Sequence, residues 1–119
     1  MKVFITTDME GISGCVTGGY GQSIGAVAEE YLDLMLGEIN AVVEGCVQAG
    51  VEEIIVGEAH HVDLRKLHAK AKLSRGIPWH DALKLRKFDA ALFVGQHART
   101  DLANAVRSHT GSSNSIIGF

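Results

Sequence analysis

Two short apolar runs flank a long stretch of helical periodicity, and that order leaves few folds open to the chain. Val3-Phe4-Ile5-Thr6-Thr7 is continuously apolar or β-branched, the pattern of a strand covered on both faces. Over residues 26–49, Leu32, Met35, Leu36, Ile39, Val42, Val43 and Cys46 recur at helical steps, one stripe of an amphipathic helix that Gly50 can end in a left-handed turn. A second strand at 52–57 must then return parallel to the first, because a helix-length crossover joins them. Further along, a short helix or helical turn is predicted at 64–72, a second helical segment opens after Pro78 over 79–85, and a third strand follows at 90–95. The expected fold class is α/β, a parallel βαβ core with helices packed on the sheet.

Each predicted strand runs directly into residues of metal-ligand type. The first leads to Asp8-Met9-Glu10-Gly11, the second to Glu58-Ala59-His60-His61, and the third to Gly95-Gln96-His97. In open parallel sheets ligands gather beyond the carboxyl ends of the strands, so three segments distant in sequence can meet at one cleft. Carboxylates and imidazoles together make the donor set of a hydrolytic zinc centre. Asp8 and Glu10, two apart in extended backbone, point to the same side. Of His60 and His61, adjacent residues that face opposite ways, one is expected to ligate, with Glu58 available to orient an imidazole, and the spacing alone does not choose between them. Arg99 lies two beyond His97 and could hold a substrate carboxylate or a developing oxyanion; a surface salt bridge is the plainer role. His109, in the polar run Ser108-His109-Thr110, could be a base, a nucleophile or simply exposed. His68 and His80 fall away from the strand ends and are expected to be structural.

Composition narrows the partners. A formal net charge of -3 gives no footprint for nucleic acid or an anionic membrane, so the basic stretch at 65–72 reads as a solvated face. Cys15 and Cys46 form neither a disulfide framework nor a thiolate knuckle, which suits a reducing cytoplasm. No phosphate loop of the GxxxxGK[ST] type, no GxGxxG turn and no GxSxG elbow is present. The glycine-rich stretch at 11–25 is expected to be irregular, and residues 1–119 are read as part of a single domain. Ile116-Ile117 looks like a strand with no successor to cover it, so the domain is expected to be incomplete and to expose an edge prone to pairing.

Taken in order, Asp8-Met9-Glu10-Gly11-Ile12-Ser13-Gly14, Glu58-Ala59-His60, the run from Ala91 through Val94-Gly95-Gln96-His97-Ala98-Arg99, and Ser108-His109-Thr110 resemble the zinc D-aminopeptidases of the DppA type over essentially the whole chain. The resemblance implies that Asp8 bridges two zinc ions, that Glu10 and His97 serve one of them and His60 the other, and that His109 is the nucleophile or base. It also implies removal of N-terminal residues from short peptides containing D-amino acids, by ring-shaped homo-oligomers enclosing their active sites. Glu58 stands where an Asp is familiar. The family continues beyond this sequence and carries a further glutamate ligand there. Two other functions remain compatible with these residues: a truncated, non-catalytic homologue serving in assembly, and a two-metal phosphoesterase.

Overall fold

The computed structural model describes residues 1–15, 26–105 and 108. Its elements are β1 (Lys2–Thr7), α1 (Ala26–Gln48), β2 (Glu53–Gly57), β3 (Ala71–Ser74), α2 (Trp79–Leu85) and β4 (Ala90–Val94). The strands form one parallel sheet in the order β3-β2-β1-β4.

The alternation along β1 and β2 sorts the core onto two faces. Val3, Ile5, Ile54 and Val56 join Tyr31, Met35, Leu36, Ile39, Val43 and Cys46 of α1 in the main core. Phe4 and Ile55 point the other way, packing with Ala82 of α2 and with Leu83 and Phe88. Both faces of the inner strands are therefore dry, as their continuous apolar pattern requires. Helix α1 ends as Gly50 demands: its φ is 77°, its N–H reaches the Val47 carbonyl, and the Val51 N–H reaches that of Cys46. These two bonds make a Schellman cap. Helix α2 starts just after Pro78, whose carbonyl accepts from the N–H groups of Asp81 and Ala82.

One predicted element is cut short. Of the short helix or helical turn expected at 64–72, a single turn forms, with the Asp63 carbonyl accepting from the N–H groups of Lys66 and Leu67, and Ala71–Ser74 is a strand, β3, paired with β2 from Ile54↔Ala71 to Gly57↔Ser74. The helix stops because Asn40 of α1 takes its backbone groups: the His68 N–H donates to the Asn40 side chain (2.8 Å), which donates in turn to the Lys66 carbonyl (2.9 Å). The sheet thus has four described strands where three were expected. The basic residues of 65–72 are exposed, as expected, but on a turn and an edge strand.

On the other side of β1, strand β4 is poorly covered. Leu92 and Phe93, facing opposite ways, are both exposed, with Phe93 resting edge-on against Trp79 at 5.7 Å between ring centroids. Residues 11–15 form turns as expected, whereas 16–25 and the strand expected at Ile116-Ile117 lie outside the described residues. Among the described residues no helix is long and apolar enough to cross a membrane.

Candidate metal centre

The chain leaves β1 toward α1 and β2 on one side and reappears as β4 on the other, so the carboxyl end of β1 is the point where strand order reverses. Ligand sites of open α/β sheets form at such points. Asp8, 9% exposed, occupies it as the first residue past β1.

Two imidazoles approach that carboxylate from the strands on either side of β1. His60, three residues past β2, sets Nε2 at 2.9 Å from Asp8 Oδ1 and 3.2 Å from Glu10 Oε2. His97, three past β4, sets Nε2 at 3.6 Å from Asp8 Oδ2. The Nδ1 of His97 lies 3.0 Å from the Ala98 carbonyl, which can only accept. With the proton on Nδ1 toward that carbonyl, Nε2 would be left with a lone pair to offer a metal ion beside Asp8. The hydrogen bond from His60 holds the Glu10 carboxyl well below the usual carboxylate range, outweighing the opposing effect of burial.

The β4 side is held by backbone. Beyond the last ladder pair, Thr7↔Val94, the Asp8 N–H reaches the Val94 carbonyl (2.8 Å) and the Gly11 N–H reaches that of Gly95 (2.8 Å). Approach this close leaves no room for side chains: a Cβ on Gly95 would strike the Asp8 carbonyl, and one on Gly11 that of Gln96. Gly95 also has φ 70°. These two glycines let the Asp8 and His97 segments lie directly on one another.

The donor atoms of Asp8, Glu10 and His60 all lie within 4.8 Å of one another. Zinc bonds of about 2.0–2.2 Å can be met by donors so gathered with small side-chain adjustments. The set is hard carboxylate plus borderline imidazole, with no thiolate, which suits a catalytic rather than a structural zinc site. The residues present therefore fit the metal.

A family model described as D-aminopeptidase, of the M55 peptidases, matches residues 1–118. The chain belongs to the M55 D-aminopeptidase family. It is 32% identical over 117 residues to a D-aminopeptidase of Bacillus subtilis (strain 168), an alignment covering 92% of this chain and 42% of that relative. Among solved structures it is similar to the Zn-dependent D-aminopeptidase DppA from Bacillus subtilis, a self-compartmentalizing protease, with a TM-score of 0.77 and 30% identity over 92% of this chain and 42% of that one. The chain thus spans less than half the length of these M55 relatives.

The remaining residues singled out in the sequence are placed as follows. His61 turns outward, with its side chain 68% exposed and 4.0 Å from Glu58. Glu58 spends its hydrogen bonds on Arg75 and on the Val62 N–H, so its carboxylate braces the loop instead of orienting an imidazole directly. Arg99 is exposed. His68 pairs with Glu44 and His80 with Asp81, each on a helix or the turn packed against it. His109 lies outside the described residues. Two residues that sequence reading passes over, Thr7 and Arg75, also touch the loop that carries His60. Thr7 looks like one more β-branched strand residue, and Arg75 follows a strand that periodicity does not reveal.

Proposed function

We propose that this chain provides the zinc-binding strand ends of an aminopeptidase that removes N-terminal residues, D-residues among them, from short peptides. The observation that carries the reading is the placement of Asp8, with one carboxylate oxygen toward His60 and the other toward His97. A carboxylate so flanked is disposed to bridge two cations, one on each imidazole. Asp8, Glu10, His60 and His97 are the four residues assigned to the metal, with Glu10 here drawn to the His60 side. Zinc bound there would polarise the scissile carbonyl and an attacking water.

The chain's own groups do the rest. Glu10, held ionised by its neighbours, keeps negative charge at the site for the metal, and a substrate's free amino terminus would bind one zinc or a nearby carboxylate. His109 is assigned the proton transfer or nucleophilic attack, and Arg99 the substrate carboxylate or developing oxyanion. Assembly into a ring of identical subunits, as the self-compartmentalizing DppA suggests, would restrict substrates to short peptides. Two free, buried cysteines suit a cytoplasmic setting.

The test is hydrolysis of short peptides bearing an N-terminal D-residue by the zinc-loaded protein, with and without chelator. Zinc-dependent release of the N-terminal residue is expected. His109→Ala is expected to lower turnover while zinc content stays unchanged. Zinc binding with cleavage of phosphoesters alone would replace the peptidase reading, and zinc binding with no hydrolysis would favour the assembly role.

A further inference from the structure

We infer that the loop bearing His60 is fixed by a two-point clamp, the Thr7 hydroxyl on one side and the Arg75–Glu58 pair on the other, so that Thr7 and Arg75 are positioning residues for the zinc site. The inference rests on the zinc-binding reading above.

The need for a clamp follows from the ladder. β1 and β2 pair regularly only as far as Thr6↔Gly57. Past that rung the backbone beyond β1 stays with the β4 side, with Asp8 N–H committed to Val94, and β2 loses its β1 partner just before His60. One side chain replaces the missing rung. The Thr7 hydroxyl, 1% exposed, donates to the Gly57 carbonyl (3.0 Å) and accepts from the Ala59 N–H (3.3 Å). Its single donor and an acceptor lone pair are both used. The residue preceding Asp8 is thereby bonded to the residue preceding His60, which couples the two ligands through a short, buried path.

The other point lies toward β3. The Glu58 N–H extends the β2–β3 ladder to the Ser74 carbonyl (3.0 Å), and Arg75, next in sequence, forks onto the Glu58 carboxylate at 2.6 and 2.8 Å. The same guanidinium donates to the Val62 carbonyl (2.9 Å), while Glu58 accepts from the Val62 N–H (2.9 Å). Glu58 and Val62 are thus tied together at the neck of a tight loop whose apex is Ala59-His60-His61. The closed neck sends one imidazole inward, His60 at 17% side-chain exposure, and the other outward, His61 at 68%. The planar fork makes both contacts at once, which a lysine ammonium does not reproduce.

Partners that orient metal ligands change metal affinity by about 10- to 100-fold when removed. The experiment is zinc affinity by competition against a chromophoric chelator, with the absorption spectrum of the cobalt-substituted site and the melting temperature of the metal-free protein recorded for each variant. Thr7→Val keeps the shape and removes the hydroxyl, and should weaken zinc about 10-fold or more and alter the cobalt spectrum. Thr7→Ser restores the hydroxyl and should return both to near the wild-type values. Arg75→Met should weaken zinc to a lesser degree, and Arg75→Lys should recover only part of the loss. Because Arg75 is half exposed, its variants keep the inference testable even where Thr7→Val fails to fold. A folded Thr7→Val or Arg75→Met protein with wild-type zinc affinity and an unchanged cobalt spectrum would overturn the inference, as would a Thr7→Ser protein no better than Thr7→Val. A wild-type protein that takes up no zinc would instead reject the metal-site reading itself.

Discussion

The two strands flanking β1 present their imidazoles by different means. On the β4 side, backbone lies on backbone: Asp8 and Gly11 donate to the carbonyls of Val94 and Gly95, and glycine is required because any Cβ would collide. On the β2 side, the loop is shaped by side chains, with Thr7, Glu58 and Arg75 supplying the missing bonds. The contrast teaches where the site is rigid and where it can be tuned. A backbone contact tolerates no added atom, whereas a side-chain clamp loosens by degrees.

The largest expected effect lies at the residue the two sides share. Asp8→Ala removes the carboxylate that faces both imidazoles, so zinc content should fall to near zero and hydrolysis with it, as read by metal analysis of the purified protein. Loss of one imidazole at a time should separate the sides: His60→Ala and His97→Ala should each abolish high-affinity binding of one ion while the other is retained. If either variant lost both ions, the two sides would not be independent.

Next comes the backbone contact. Gly95→Ala forces a side chain onto φ 70° and against the Asp8 carbonyl. A cost of roughly 2–4 kcal/mol is expected from strain plus overpacking, measured by chemical denaturation. The same change should weaken zinc at the His97 side more than at the His60 side. Equal weakening at both would erase the distinction drawn between them.

Much of this architecture can be read in the sequence because it is local. The periodicity of α1, the apolar runs of β1 and β2, the proline before α2 and the run at β4 each announce their element. β3 does not. Ala71-Lys72-Leu73-Ser74 is short and only partly buried, and it becomes a strand through pairing with β2 and through Asn40 ending the preceding turn, both long-range causes. The missed strand hides Arg75 in turn. In the site, strand-end logic singles out Asp8, Glu10, His60 and His97, which the structure brings together, because position after a parallel strand is visible in one dimension. The role of Thr7 is not visible there, since its hydroxyl matters only once β2 lies beside it. Glu58, which the sequence leaves available to orient an imidazole, braces the loop through Arg75, a partner that sequence distance conceals.

The smallest expected effect sharpens the β2 side alone. The Arg75 guanidinium beside Glu58 holds its carboxyl below the ordinary value of 4.5. A depressed carboxyl contributes stability that is complete above the unfolded value and is lost as pH falls through the lower folded value. Wild-type protein should therefore lose part of its stability on acidification below pH 4.5, and Arg75→Met should lose less over the same range, compared by denaturant titration at several pH values. Parallel curves for the two proteins would show that the pair contributes nothing measurable in solution.

The central claim is that one carboxylate between two strand-end imidazoles gathers the zinc. Anomalous diffraction at the zinc absorption edge from zinc-loaded crystals tests it directly. The account predicts zinc peaks at Asp8, with bonds of about 2.0–2.2 Å to Asp8, His60 and His97. Zinc found instead on the outlying pairs His61–Glu58 or His68–Glu44, with none at Asp8, would contradict it.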